Sequence, residues 1–132
     1  MTQQQKHAWF NVAVCVLTVV TYAILFQIGG PTFATAAFAW FGLLGFAQMF
    51  YRRSDNAVVI DERDRLIHAN SVKVAFGVFW LYFTAVCMGP WFTIGAAGAV
   101  PVSMLPCALV LGAVLFVLSQ SIAMLVQYQR GV

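Results

Sequence analysis

The chain has 132 residues, of which 62% are hydrophobic and only 8% are charged, with a formal net charge of +3 at pH 7. An average soluble domain is about one quarter charged, and so short a chain keeps a large surface relative to its volume. It cannot bury this much apolar area in its own core, so lipid is the predicted solvent for most of it. We attribute the small basic excess to membrane orientation and expect no nucleic-acid partner.

Four apolar segments are long enough to cross a membrane as helices, since about 20 apolar residues span roughly 30 Å of hydrocarbon. In chain order they cover residues of about 8–28, 33–51, 74–94 and 103–128. Backbone groups in lipid must form their hydrogen bonds internally, which favours helices. The predicted fold class is an all-α integral membrane protein: one membrane domain, residues 1–132, forming a four-transmembrane-helix bundle.

Glycine and proline mark several ends of these segments. The sequence Gly29-Gly30-Pro31 is a strong stop for the first helix. Pro90 lies near the far end of the third span, where it either kinks the helix or marks its ordinary termination. Pro106 falls in the first turn of the fourth span, where proline is tolerated.

The basic residues all fall on one side of this arrangement. With four spans, the N-terminus, the 52–73 connection and the C-terminus share a side. That side holds every Lys and Arg of the chain: Lys6, Arg52, Arg53, Arg63, Arg65, Lys73 and Arg130. Because Lys and Arg are enriched in cytoplasmic loops, both termini are predicted to be cytoplasmic, in a multi-pass protein of the bacterial cytoplasmic (inner) membrane.

The cytoplasmic connection carries an unusual charged stretch, IDERDRLIHANSVKVAFGVFW, at residues 60–80. Asp61 is placed to cap a helix, with Asp64 at the third helical position in a capping-box-like arrangement. Asp61 and Arg65 are four residues apart, as are Asp64 and His68, so each pair can meet on the helix surface. We therefore predict one helix from about Asp61 into the third span, extended into the cytoplasm.

This charged stretch resembles a segment of an uncharacterised family of small prokaryotic predicted membrane proteins with four spans. In that family an Asp-Glu-Arg element precedes the third span and is followed by apolar, small and basic residues. The matching residues here are Asp61, Glu62, Arg63, Ile67, Ala69 and Lys73. The family has no established biochemical activity. Its genes often lie beside small helix-turn-helix regulators, so the resemblance implies a regulatory or stress-linked role.

Two functions of different classes fit this architecture. The first is a non-enzymatic accessory or regulatory protein that contacts a membrane or cytoplasmic protein partner through the charged helix start: Asp61, Glu62, Arg63, Asp64, Arg65 and His68. The alternative is a small homo-oligomeric transporter of neutral or lipophilic compounds. Its cavity would be lined by Gln48, Tyr82 and Gln120.

Polar and small residues inside the spans indicate how the helices associate. No ionisable Asp, Glu, Lys, Arg or His lies inside the four predicted spans, which argues against a proton-coupled pump. Ser119, Gln120 and Ser121 form the densest polar patch, suited to a substrate path but more often used for hydrogen bonds between helices. Ala108 and Gly112 are small residues four apart, a spacing that permits close helix approach.

No catalytic residues, metal or cofactor are predicted. Nucleophile–base sets, phosphate-binding glycine loops and carboxylate pairs are missing from the sequence. Asp61, Asp64 and His68 share a helix face, but a cap and local ion pairs explain them better than a metal does. A haem would require His7 and His68 to face one another, and two histidines at the membrane boundary are the simpler interpretation.

The cysteines show no metal-binding spacing. Cys15 lies inside the first span, and Cys87 and Cys107 lie in the outer parts of the third and fourth. A disulfide between Cys87 and Cys107 stays open if those faces meet. Free thiols that pack as small hydrophobic groups are the favoured interpretation.

Overall fold

A computed structural model describes residues 3–44, 62–95 and 97–130, and this part of the chain is helical, without strands. The elements are helix α1 (Gln3–Ala34), a 3₁₀ segment (Thr35–Phe41), helix α2 (Glu62–Ile94) and helix α3 (Met104–Gln129). Three helical stretches are long and apolar enough to cross a membrane: Gln4–Leu44, Glu62–Ile94 and Met104–Gln129.

Helix α1 is interrupted at Gly30, which has φ 73° and ψ −166°. This backbone conformation is essentially restricted to glycine, because a Cβ atom would clash there. Pro31 follows and has no N–H to continue the helical hydrogen bonds. The helix stop predicted at Gly29-Gly30-Pro31 is therefore present as a sharp break in the chain.

After this break the chain runs back alongside α1. Phe38 and Phe41 pack against the buried cluster of Cys15, Val110 and Val114, and Leu44 lines a cavity together with Ala8. In one straight helix, Leu44 and Ala8 would lie roughly 50 Å apart, at about 1.5 Å of rise per residue. Their proximity shows that the returning segment is antiparallel to α1. Its predicted continuation through residues 45–51 lies outside the described residues.

Helix α2 is a single continuous helix from Glu62 to Ile94, with Glu62 and Asp64 in its first turn. Acidic side chains there are favoured by the positive end of the helix dipole. The predicted cap at Asp61 lies outside the described residues. Helix termination does not occur at Pro90: the helix continues for another turn and ends before Gly95, which has φ 83° and donates its N–H to the Trp91 carbonyl at 3.1 Å. The positive φ of the glycine ends the helix.

Helix α3 lies between α1 and α2, which have little contact with each other. Along α1, Ala8 packs near Met124 and Cys15 packs against Val114, so α1 and α3 are antiparallel. Along α2, Ile67 packs near Met124, whereas Tyr82 further up the helix bonds to Ala108. Because both neighbours run antiparallel to α3, α1 and α2 are parallel and begin at the same end of the bundle.

Small residues occupy the helix interfaces and large ones face outward. The side chains of Thr18, Ser71 and Ser121 are almost fully buried, whereas Leu81 is 75% exposed and Phe92 81% exposed. This distribution suits a membrane protein. Apolar side chains gain little free energy by moving from lipid into the protein interior, so helices are held together by close approach of their backbones. The buried hydroxyls bond to carbonyls of their own helix, as Thr18 does to Val14 at 2.8 Å.

Candidate functional site

One end of the bundle joins the starts of α1 and α2 to the end of α3. Tyr128 Oη donates to Asp64 Oδ1 at 2.6 Å and lies 3.0 Å from Oε1 of Gln4. A phenol has one proton to donate, so the Gln4 amide completes the pair when its NH₂ group faces Tyr128. Five charged residues lie within two positions of a bridge residue in the sequence: Lys6, Glu62, Arg63, Arg65 and Arg130. We call this the charged end.

The charged helix start of α2 divides into inward and outward residues. Asp64 is bound by Tyr128, and Ile67, 3% exposed, packs with Ala8 and Met124. The remaining predicted partner-binding residues in the described part are exposed: Glu62, Arg63, Arg65 and His68. The expected pairing of Asp64 with His68 is replaced by the bond to Tyr128. Asp61 lies outside the described residues.

A cavity of about 440 Å³ lies at the charged end between α1 and α3. Each helix lines it with residues spaced i, i+3, i+4 and i+7, which is one face of a helix. The described residues that line it are Gln4, His7, Ala8 and Asn11 from α1, Val117, Gln120, Ser121 and Met124 from α3, together with Leu44 and His68. We call it the polar cavity.

The described residues of the polar cavity offer hydrogen-bonding groups without a fixed charge. Among the residues that the structure describes, no Asp, Glu, Lys or Arg side chain lines it. Burial lowers the pKa of His7, since taking the imidazolium out of water is unfavourable. His7 is therefore neutral at neutral pH, and protonating it below its ordinary pKa of 6.5 opposes the folded arrangement.

His7 and His68 both line the polar cavity. A haem would require these two histidines to face one another across it. Within the described residues, however, no group of three His, Cys, Asp or Glu is placed to hold a metal ion. Two imidazoles alone make a weakly selective ligand set.

The predicted cavity residue Tyr82 is elsewhere, in the contact between α2 and α3. Its hydroxyl donates to the Ala108 carbonyl at 2.7 Å, and its ring lies against Gly112. Within one copy of the chain, Tyr82 and Gln120 therefore do not line the same described cavity. The transporter hypothesis requires a cavity formed by two copies, and it stays a prediction. Gln48, the third residue of that hypothesis, lies outside the described residues.

The serines of the polar patch bond within their own helix in the described part of the chain. Ser119 donates to the Leu115 carbonyl at 2.6 Å, and Ser121 donates to the Val117 carbonyl at 2.8 Å. Ser121 also lines the polar cavity between α1 and α3, and the predicted role of the patch in a cavity or helix interface stays a prediction. A serine hydroxyl reaches the carbonyl one turn earlier without any partner helix, which satisfies it locally.

The three cysteines are free thiols. Cys15 is buried against α3, Cys87 is exposed, and Cys107 is partly buried, where it shares a hydrogen bond with Tyr22. The contact of Cys107 is therefore with α1, and Cys87 and Cys107 do not pair.

The sequence interpretation missed Gln4, Asn11 and Tyr128. Gln4, His7, Ala8 and Asn11 share one helix face, so their spacing was a readable signal. Tyr128 carried no such signal, because its bond to Asp64 depends on how α2 and α3 are placed together.

Apolar helices, outward-facing large side chains and locally satisfied hydroxyls define a helical membrane protein. Residues 4–130 match a family described as "Predicted membrane protein (DUF2178)", and the chain belongs to this family. This confirms the expected membership of an uncharacterised family of membrane proteins. Comparisons with curated proteins and with solved structures found no match.

Proposed function

We propose that the chain crosses the membrane four times. Tyr128 contacts both Gln4 and Asp64, so α1 and α2 begin at the same end of the bundle. The chain between them must therefore leave that end and return, which takes two crossings. The segment after Gly30 already runs back toward the charged end as far as Leu44. It supplies the second crossing, and α2 and α3 supply the third and fourth.

The charged end is the cytoplasmic side in this proposal. Lys6, Arg63, Arg65 and Arg130 lie within a few residues of the Tyr128 bridge, and the connection 95–103 at the opposite end carries no Lys or Arg. Basic residues are retained on the cytoplasmic side during insertion. Both termini are therefore cytoplasmic, in a bacterial inner membrane.

Labelling with a membrane-impermeant thiol reagent tests this topology. Single cysteines are introduced into a variant in which the three native cysteines are replaced by alanine. We expect Thr32→Cys and Ser103→Cys to react in intact cells, and Glu62→Cys and Gln129→Cys to react only after permeabilisation. The reverse labelling pattern would overturn the orientation. If Thr32→Cys and Glu62→Cys react under the same condition, the two positions lie on the same side of the membrane, which would overturn the second crossing.

We further propose that the protein is a non-enzymatic accessory or regulatory subunit, with a membrane or cytoplasmic protein as its partner. One observation carries this proposal: Asp64 and Ile67 fix the first turns of α2 to the bundle, while Glu62, Arg63 and Arg65 remain exposed. A rigid helix start presents these charges in a fixed geometry, which reduces the ordering cost of binding. A partner with complementary charge is expected at this surface.

Alanine substitution of this surface tests the partner. Glu62→Ala, Arg63→Ala and Arg65→Ala together should leave membrane insertion and thermal stability intact, because exposed ion pairs contribute little to folding. The same change should abolish a stoichiometric second protein seen by native mass spectrometry after gentle purification. The matched control is Lys6→Ala with Arg130→Ala, which removes charge from the same end. If the triple variant binds as much of the second protein as the original chain does, the result would count against the proposal.

A further inference from the structure

We propose that the polar cavity is a binding site for a neutral, single-chain amphiphile with a hydrogen-bonding head group. This inference concerns a ligand site and goes beyond the partner surface of α2. It rests on the chemistry of the cavity wall and on an apolar groove that adjoins it.

The cavity wall favours a neutral polar head. Asn11 and Gln120 each offer an amide, and none of the hydrogen bonds between described residues occupies either side chain. An amide at the edge of a lipid environment gains by meeting a donor or acceptor. A carboxylate or phosphate head would find no Lys or Arg among the described residues of the wall to balance its charge. A hydroxyl, carbonyl or amide head can bond to these amides and carries no charge.

The apolar groove explains where the chain of the ligand lies. One turn deeper along α1 and α3 is a second space of about 240 Å³. It is lined by Cys15, Val16, Val19, Val20, Val114 and Leu118. Asn11 of the cavity precedes Cys15 by one helical turn, and Val117 of the cavity is the neighbour of Leu118. The two spaces therefore adjoin along one pair of helices.

Together they match the orientation of a lipid in the bilayer. The polar cavity lies at the charged end, where the predicted membrane boundary falls, and the apolar groove lies inside the predicted span. A bound amphiphile would place its head among the amides and its chain against valine and leucine side chains. The volume of the polar cavity falls in the usual range of ligand sites, about 300–1,000 Å³.

Photolabelling of the full chain in zwitterionic nanodiscs tests the site. The probe is a long-chain primary amide that carries a diazirine on its alkyl chain. We expect cross-links mapped by mass spectrometry to concentrate on the α1 and α3 residues of the groove. A probe with the same chain but a carboxylate head should label these residues several-fold less at pH 8.

Two variants separate the head contact from the chain contact. Gln120→Leu removes one amide and should reduce labelling roughly fivefold, the effect of losing about 1 kcal/mol of hydrogen bonding. Val19→Trp fills the lipid-exposed groove without touching the polar cavity and should abolish labelling. Because the two variants alter different spaces, misfolding of one variant cannot by itself produce both results. Thr84→Leu on α2 is the control and should label like the original. Even labelling of all three helices, equal labelling by the carboxylate probe, or labelling unaffected by both variants would overturn the proposal.

Discussion

Gly112→Leu is expected to force α2 away from α3 and to lower the thermal stability of the bundle more than any other single change considered. A Cβ atom at Gly112 would lie 3.0 Å from Cε1 of Tyr82 and 3.3 Å from Cε2 of Phe79. The rest of a leucine side chain has no room between these rings. Overpacking of this kind costs about 1–3 kcal/mol, and losing the Tyr82 bond to Ala108 adds about 1 kcal/mol.

Gly77→Leu is the matched control for this prediction. Gly77 lies in the middle of α2, and nothing approaches within 4 Å of a Cβ added there. Leucine has the better helix propensity by about 1 kcal/mol, so this variant should be as stable as the original or slightly more stable. The thermal stability of both variants is measured by circular dichroism at the helix band during heating in mild detergent. Equal losses of thermal stability in the two variants would show that the close contact of Gly112 with Tyr82 and Phe79 is not the cause.

Tyr128→Phe is expected to loosen the charged end while leaving the middle of the bundle intact. The substitution removes the hydroxyl that donates to Asp64 and lies beside Gln4. Asp64 is half-buried, so water can replace the lost hydrogen bond to its carboxylate only in part. Hydrogen bonds to charged groups contribute about 1.5–3 kcal/mol. Hydrogen–deuterium exchange should accelerate at residues 66–70 of α2, the first amides that bond to carbonyls within the helix.

Tyr82→Phe provides the comparison, because it removes a neutral hydrogen bond from the middle of α2. It should cost about 1 kcal/mol and leave exchange at residues 66–70 unchanged. A double-mutant cycle of Tyr128→Phe with Asp64→Ala isolates the interaction between the two side chains. If Tyr128→Phe costs as much stability when Asp64 is already alanine, the proposed bridge is not the cause.

The bridge also links the fold to the proposed partner surface. Tyr128 holds Asp64 inward, and this sets the rotation of the first turn of α2 that exposes Glu62, Arg63 and Arg65. The charged motif therefore combines residues that fasten the helix with residues that remain accessible. A surface mutation of Arg65 and a bridge mutation of Tyr128 should weaken partner binding for different reasons, and only the second should change exchange in α2.

The sequence by itself determined the three long apolar helices that the structure describes, because their causes are local. Long apolar runs predict membrane helices whatever surrounds them, and the acidic start of α2 predicts a continuous helix, which the structure contains from Glu62 to Ile94. Gly30 and Pro31 end the first helix through their own backbone geometry. The sequence left open whether Pro90 kinks the third span or marks its end; the helix runs through Pro90 to Ile94, the predicted end of the span, because Gly95 follows with a positive φ.

Only the tertiary structure decided which faces of the helices meet. Apolar residues surround each membrane helix, so the sequence shows no polar face that marks the side in contact with a neighbour. The rotation of α1 and α3 places His7 with Gln120 in one cavity, and the rotation of α2 takes Tyr82 away from it to Ala108. The bond from Tyr128 to Asp64 joins residues 64 positions apart. Such contacts depend on packing between small residues across interfaces, which hydropathy and spacing along one helix do not record.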